Sequence, residues 1–280
     1  MTEMYRVSKV LNNNGVIAID MDENKDYVIL GKGVGFGKKV SQRFDKPEGC
    51  TTYRLEQETE RGSAKELVKG IEPEYLEIAD AILTESQKVF GDSIDRGILF
   101  PLADHISFAV ARIRRNEQIS NPLTEDIKVL FYSEFKVAET LKTILRERLQ
   151  IEIDDHEVGY VALHIHSAIG DEKVSVAMQT ARAVRECIDM IEKATGKPID
   201  VLSLSYNRLM NHMKYMVARA STGEKLNLDM NEYMLDQYPQ AYKVATDICK
   251  NLEGCIGHKL DETETGYLAM HIQRVYKDAV

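Results

Sequence analysis

The fold of this 280-residue chain is decided by LADHISFAVAR at residues 102–112, a segment that returns as LMNHMKYMVAR at residues 209–219. Each segment places apolar residues at the spacing of an amphipathic helix and has a histidine near its middle. The two segments start 107 positions apart. They therefore predict two helices of common origin within one chain.

The same shift of 107 positions aligns further parts of the chain without a gap. FKVA at residues 135–138 falls on YKVA at residues 242–245, and DDHEVGYVALHI from Asp154 falls on DETETGYLAMHI from Asp261. Three matches in a single register indicate an internal duplication. We therefore predict two homologous all-α helical-bundle domains, at residues 65–170 and 174–280.

The N-terminal part of the chain has the pattern of β-structure. YRVSKVL alternates between polar and apolar residues, while VIAID and DYVIL are short β-branched runs between polar turns. Helical spacing replaces this pattern from about Ser63, and Pro47, Gly49 and Gly62 mark a linker between Lys46 and Ser63. We predict a multidomain protein with a small all-β domain at residues 1–58, followed by the two helical domains.

The net charge of -9 opposes binding to nucleic acid, because neutralising phosphates requires clustered lysine and arginine. The distribution of charge weakens this objection, since no acidic residue lies between Asp26 and Asp45. Four basic residues fall in that interval: Lys32, Lys38, Lys39 and Arg43. A local basic patch is compatible with an acidic chain.

The sequence also bears on the compartment. Its apolar stretches are too short to span a bilayer, and the N-terminus lacks the apolar core of a secretory signal. The four cysteines include no CxxC pair. We expect a cytoplasmic protein without disulfides and without membrane insertion.

Four of the seven histidines form pairs related by the shift, His105 with His212 and His164 with His271. A histidine on an apolar helix is more often a satisfied core residue than a functional one. Here most neighbouring positions differ between the copies, as Ile106 and Met213 do, whereas the imidazoles are retained. We interpret the four histidines as functional.

Two chemistries use paired imidazoles. A metal site in the first copy would draw on Asp104, His164 and His166, but the second copy has Asn211 and Gln273 in place of the first and last of these, so a shared metal site fits poorly. Phosphoryl acceptance needs only a ring nitrogen and a docking surface, and it adds roughly two negative charges to the side chain. We expect phosphorylation of the four histidines and no metal, no cofactor and no catalytic residue.

Four segments, KVLNNN, GKGVGFGKK, DHISFA and LHIHSA, together resemble the BglG/SacY family of transcriptional antiterminators over essentially the whole chain. The family's order is a co-antiterminator RNA-binding domain followed by two regulation domains of the phosphotransferase system (PTS). GKGVGFGKK and LHIHSA are most similar to the glucose-type branch, and the β-glucoside type is the runner-up.

The resemblance implies that the first domain forms a homodimeric β-sheet, which binds an imperfect RNA hairpin and prevents an overlapping transcription terminator from forming. It assigns RNA contact to six residues: Lys9, Asn12, Asn14, Gly31, Lys32 and Phe36. Lys32 stands where several relatives have arginine, which removes bidentate phosphate geometry at that position. From the residues alone, NNN before a glycine is also an ordinary turn.

For the helical domains, the resemblance implies that His105 and His164 respond to phosphate from a sugar-specific enzyme II, generally switching activity off. It implies that His212 and His271 respond to the phosphocarrier HPr, often supporting activity. Asn211 departs from the family's aspartate before the histidine, which leaves the acceptor strength of His212 open. We predict that phosphorylation changes the packing of the helical domains in the dimer, and thereby whether the RNA-binding sheets pair.

The residues leave two other functions open. A metal-dependent or phosphoryl-transfer enzyme would require a pocket of convergent polar groups. A helical phospho-sensor acting on DNA or on a protein would keep the two helical domains, but the first 60 residues show no helix-turn-helix pattern.

Overall fold

The computed structural model describes residues 4–56, 58–59, 62–170, 173–196, 198–200 and 203–278. The chain divides into two compact units. The first comprises Met1–Ser120 and Ser133–Lys173, and the second comprises Asn121–Tyr132 and Val174–Val280. Within the described ranges, no helix combines the length and the hydropathy needed to cross a bilayer.

An antiparallel sheet of five strands forms the N-terminal part of the first unit. The strands are β1 (Met4–Asn12), β2 (Gly15–Asp20), β3 (Asp26–Leu30), β4 (Arg43–Asp45) and β5 (Thr51–Arg54), in the spatial order β4-β1-β2-β3-β5. A two-stranded pair follows, β6 (Glu58–Thr59) with β7 (Gly62–Ser63). The predicted N-terminal β domain is confirmed. Strand β5 lies inside the stretch predicted as a linker, because its Tyr53 pairs with Val28 of β3 and is buried.

The core of the sheet follows from the alternation of its strands. Tyr5 and Val7 of β1 join Val16 and Ala18 of β2 in one buried cluster, since every second side chain of a strand points to the same face. Val7 lies directly opposite Ala18 in the register. Burying a large apolar side chain in such a cluster contributes about 1.5–3 kcal/mol.

Helices make up most of the rest of the described chain. They are α1 (Ala64–Gly70), α2 (Pro73–Phe90), α3 (Leu99–Arg114), α4 (Thr124–Leu130), α5 (Tyr132–Ala138), α6 (Thr140–Leu149), α7 (Asp155–Gly170), α8 (Val174–Thr195), α9 (Leu204–Thr222), α10 (Asn231–Gln237), α11 (Pro239–Ile256) and α12 (Thr263–Asp278). Helix α2 starts at Pro73, whose fixed φ suits a first helical position. It buries Leu76, Ala79 and Leu83 at helical spacing and packs against α3, α6 and α7.

The internal repeat is visible in the helix boundaries. Under the shift of 107 positions, α4 falls on α10, and α3 and α7 fall on α9 and α12. Helices α5 and α6, which are separated at Glu139, together correspond to the single helix α11. The prediction of two homologous helical domains is confirmed, while the bounds 65–170 and 174–280 stay predictions.

The two copies differ in where their matching short helix packs. Helix α4 belongs to the second unit, where it contacts α8 and α9, whereas α10 contacts α11 and α12. The hydroxyl of Tyr206 on α9 donates a hydrogen bond of 3.4 Å to the carboxylate of Asp126 on α4. Burial raises the pKa of Asp126, so this carboxylate is held in the second unit at an energetic cost that the tyrosine partly offsets.

Candidate nucleic-acid interface and paired histidines

Hydrogen bonds to asparagine connect the turn between β1 and β2 to the glycine-rich loop. The side-chain oxygen of Asn12 accepts a hydrogen bond of 2.8 Å from the backbone N–H of Asn14. The side-chain oxygen of Asn14 accepts one of 3.0 Å from the N–H of Gly33, and its backbone carbonyl accepts one of 2.9 Å from Gly31. The turn at residues 12–14 and the loop at residues 31–37 therefore form one ordered edge, here called the asparagine edge.

At two positions of the loop, neighbouring atoms lie so close to the backbone that only glycine fits. A Cβ at Gly35 would lie 2.0 Å from the backbone oxygen of Asn12, so no side chain fits there. A Cβ at Gly31 would lie 2.3 Å from the Sγ atom of Cys50 and 3.0 Å from its Cα atom. Gly31, predicted to contact RNA, thus also has a packing role against a cysteine that the sequence did not single out.

The structure brings Asn12, Asn14, Gly31 and Lys32 together at the asparagine edge. Lys32 is exposed beside Gly31, and Phe36 projects from the same loop with 74% of its surface exposed. Lys9 lies three residues before Asn12 on β1, exposed and paired with Ile17 of β2. Exposed cationic, aromatic and amide groups beside glycine backbone suit recognition of RNA bases and phosphates.

A carboxylate from a helix contacts the same asparagines. The Nδ2 atom of Asn12 donates a hydrogen bond of 2.7 Å to Oε1 of Glu77, and Nδ2 of Asn14 donates one of 3.2 Å to Oε2. Glu77 lies on α2, and Nη1 of Arg148 is 3.6 Å from Oε2. Nothing in the sequence indicated Glu77, because a glutamate on an amphipathic helix is usually solvated.

The first pair of predicted histidines meets between two helices. His105 on α3 and His164 on α7 have ring centroids 5.4 Å apart, and the two residues are only 8% and 6% exposed. Nε2 of His105 lies 3.4 Å from Oε2 of Glu157, whose Oε1 accepts a hydrogen bond of 2.9 Å from Arg112. Arg112 is two helical turns after His105, which places both on one face of α3.

The second pair repeats this arrangement. The rings of His212 on α9 and His271 on α12 stack with centroids 4.7 Å apart. Nε2 of His212 lies 3.7 Å from Oε2 of Glu264, and Arg219 donates to both oxygens of Glu264 at 2.6 and 2.9 Å. We call each set of two histidines, one glutamate and one arginine a paired-histidine centre.

Sequence reasoning missed the glutamate and the arginine of each centre. The signal was present, since the shift of 107 positions also relates Arg112 to Arg219 and Glu157 to Glu264. Both glutamates are buried, with exposures of 3% and 1%. A buried carboxylate paired with the same cation in both copies indicates one architecture formed twice.

Burial and neighbouring charges set the protonation of the centres. Burial, with a smaller contribution from His271, lowers the pKa of His212 to about 3. Burial and the nearby cations Arg274 and Arg208 lower the pKa of His271 to about 4. Burial opposes ionisation of Glu157, but His105 and Arg112 outweigh it and hold the pKa of Glu157 below its usual value. At neutral pH the second centre therefore holds two neutral imidazoles.

Other groups near the centres have different roles. His166 is the residue that a metal site in the first copy would share with His164. The Nδ1 atom of His166 lies 2.9 Å from Oε1 of the buried Glu134. Over the described stretches of the chain, no group of three or more histidine, cysteine, aspartate and glutamate side chains is arranged to hold a metal ion. A cleft of about 190 Å³ opens beside Arg219 and Glu264 and is also lined by Lys225 and Lys259.

Two protein-family models match this chain. The family model "CAT RNA binding domain" matches residues 5–62, and the model "PRD domain" matches residues 80–168 and 185–275. The asparagine edge lies within the first match, and one paired-histidine centre lies within each of the other two.

Relatives match along nearly the full chain. The GlcA/glcB genes antiterminator of Staphylococcus carnosus (strain TM300) is 30% identical over 274 residues, covering 96% of this chain and 94% of the relative. Transcription antiterminator LicT of Bacillus subtilis (strain 168) is 27% identical over 278 residues, covering 98% of this chain and 100% of the relative. The crystal structure of GlcT CAT-PRDI superposes with a TM-score of 0.52 at 28% identity, covering 60% of this chain and 99% of that one.

Proposed function

Because this chain belongs to the BglG/SacY family of transcriptional antiterminators, with similarity to its glucose-type members, we propose that the asparagine edge is its RNA-binding site. The chain is an RNA-binding antiterminator regulated through the PTS. The observation that carries the proposed site is the hydrogen-bonded coupling of Asn14 to Gly31 and Gly33, which orders the turn and the loop as one surface.

The chemistry of the asparagine edge supports a hairpin with unpaired bases as the ligand. The NH₂ groups of the asparagines can donate hydrogen bonds to base edges, and the glycine backbone allows close approach to the sugar-phosphate chain. Phe36 offers a ring for stacking on a splayed base, while Lys32 and Lys9 supply phosphate contacts. These six residues, including Gly31, form the proposed interface.

Dimerisation is part of the proposal. The sheet has about fifty residues and a small core, so a second copy would add buried surface and double the number of phosphate contacts. We expect a homodimer in which two sheets bind one folded transcript.

The four histidines are the proposed phosphoryl acceptors: His105, His164, His212 and His271. Acceptance requires a neutral imidazole, whose lone pair attacks phosphorus while the bond from phosphorus to the donor's phosphorylated side chain breaks and that side chain leaves with the bonding electrons. The lowered pKa values of His212 and His271 keep their lone pairs available at neutral pH. We propose HPr as donor for the second centre and a sugar-specific enzyme II as donor for the first.

Phosphorylation would disturb the arrangement of each centre. A phosphoryl group carries roughly two negative charges, and here it would lie close to an anionic glutamate and to an arginine. It would repel Glu264 and attract Arg219, which favours exchange of the arginine from the carboxylate to the phosphate. We propose that this exchange repacks the helices and controls pairing of the RNA-binding sheets in the dimer.

The proposed role is regulatory and has no catalytic residue. The relatives are named as antiterminators, and the four histidines accept phosphate without turning over a substrate. Because the ligand is a growing transcript, we propose a cytoplasmic location.

Binding of the full chain to an imperfect hairpin RNA tests the function. Fluorescence anisotropy would compare that RNA with a duplex DNA of equal length and sequence at one salt concentration. We expect tight binding to the hairpin alone. Equal affinity for the two ligands, or preference for the DNA, would refute the RNA-specific site.

A further inference from the structure

Glu77 accepts a hydrogen bond from the side-chain NH₂ group of each of two asparagines in the asparagine edge. The oxygen of each asparagine side chain is used inside the edge, that of Asn12 by the N–H of Asn14 and that of Asn14 by the N–H of Gly33. The NH₂ groups of the same two side chains donate instead to Glu77, whose two oxygens accept one hydrogen bond from each. A single carboxylate thus bridges two residues proposed to contact RNA.

The contact places a negative charge where RNA would bring another. RNA presents phosphate oxygens, 2′-hydroxyls and base carbonyls to amide donors. A carboxylate offers the same kind of acceptor and also repels any phosphate that approaches within a few ångströms. Arg148, at 3.6 Å, offsets this charge only in part, because its side chain is 43% exposed to water.

We propose that Glu77 is an intramolecular competitor of RNA, and that the transcript binds fully only when the carboxylate leaves Asn12 and Asn14. This inference rests on the proposed RNA-binding function of the asparagine edge and adds its regulation. The competing group is supplied by the first helical domain of the same chain.

A second contact one helical turn along α2 supports the closed arrangement. Asp80 accepts hydrogen bonds from the hydroxyl of Tyr53 on β5 and, at 2.9 Å, from Nη2 of Arg96. The same Nη2 atom lies 2.7 Å from the Tyr53 hydroxyl. Glu77 and Asp80 therefore hold α2 against the sheet at two points, on β5 and on the turn after β1.

The helix that carries Glu77 also touches the first paired-histidine centre's helices. Helix α2 packs against α3, which carries His105, and against α7, which carries His164. Repacking of α3 and α7 would move α2 and so change the distance from Glu77 to the asparagines. The Glu77 contact is therefore a physical link between the first paired-histidine centre and the asparagine edge.

The test compares full chains with Glu77→Ala and with Glu74→Ala, a variant that removes the same charge from the same helix. Because both variants change the net charge equally, only loss of the contact distinguishes them. We expect Glu77→Ala to bind the hairpin RNA about tenfold more tightly than Glu74→Ala. Glu77→Gln, which keeps the size of the side chain, should fall between Glu77→Ala and wild type and serves if the alanine variant does not fold.

Side-chain amide resonances of Asn12 and Asn14 give a readout that does not depend on RNA. We expect them to shift in Glu77→Ala and to stay in place in Glu74→Ala. Equal RNA affinity of the two variants would overturn the competition while leaving the RNA-binding function intact. Absence of hairpin binding by wild type and by every variant would overturn both, whatever the amide resonances do.

Discussion

Arg219 holds Glu264 through two parallel hydrogen bonds, from Nε at 2.6 Å and from Nη2 at 2.9 Å. Such a bidentate pair fixes the carboxylate in position beside His212, 3.7 Å away. The first copy keeps the same partners with one hydrogen bond, from Arg112 to Glu157. The buried ion pair, rather than the histidines alone, defines the architecture of each centre.

Removing the buried carboxylate should destabilise the second unit. We expect Glu264→Ala to lower the free energy of unfolding by about 3 kcal/mol, because it leaves the charge of Arg219 without its partner. Chemical denaturation followed by circular dichroism measures this change. Glu262→Ala, at an exposed position on the preceding turn, is the control and should change stability by less than about 0.5 kcal/mol. Equal effects of the two substitutions would contradict a structural ion pair.

The stability of the second unit should fall in mild acid. His212 has a pKa of about 3 in the folded chain and an ordinary value of 6.5, so between these values the unfolded chain binds the additional proton. The stability that the neutral His212 contributes therefore rises with pH across this window. It is lost progressively as the pH falls from 6.5 toward 3. We expect His212 to account for a loss of roughly 2 kcal/mol between pH 7.5 and pH 5.

Urea unfolding of wild type and of His212→Gln at a series of pH values measures this contribution. The variant lacks the titrating ring, so its stability should depend less steeply on pH over the same interval. Identical pH dependence in the two proteins would show that His212 is not held neutral by burial.

A fixed negative charge in the first centre should weaken RNA binding. His105→Asp places a carboxylate near Glu157, where it mimics part of the charge of a phosphoryl group. We expect about a fivefold or greater loss of affinity for the hairpin and an altered dimer. His258→Asp adds the same charge at an exposed position and should leave both properties unchanged. Unaltered dimerisation and binding in His105→Asp would remove the proposed coupling.

Phe36 should contribute to RNA binding without contributing to stability. Its ring is 74% exposed, so Phe36→Ala should change the free energy of unfolding by less than about 0.5 kcal/mol. Loss of base stacking should cost about 1–3 kcal/mol of binding free energy. Val40→Ala, at another exposed apolar position after the same loop, should leave the affinity unchanged. A Phe36→Ala variant with wild-type affinity would exclude stacking at this position.

Much of the fold followed from local pattern. YRVSKVL, VIAID and DYVIL form β1, β2 and β3, because alternation and β-branched content suit a half-buried sheet. Strands β4 and β5 have three and four residues, too few to show alternation, and they form because β1 and β3 offer pairing edges. The repeat predicted the matching helices, but not the packing of α4 in the second unit, which depends on tertiary contacts.

The candidate sites were predictable to different degrees. The repeat singled out the four histidines, and the structure brings them together as two pairs. Glu157 and Glu264 were aligned by the same repeat, yet their burial beside arginine was not visible in a pattern of charged helix residues. Glu77 was beyond reach of sequence reasoning, since its contacts with Asn12 and Asn14 join positions 65 and 63 residues apart.

Hydrogen–deuterium exchange of the full chain, with and without the imperfect hairpin RNA, tests the location of the RNA-binding site most directly. Bound RNA should slow exchange at residues 9–14 and 31–37, where the asparagine edge and Lys9 lie. Protection confined to the helical domains, with no change at these two stretches, would contradict the proposed RNA-binding site.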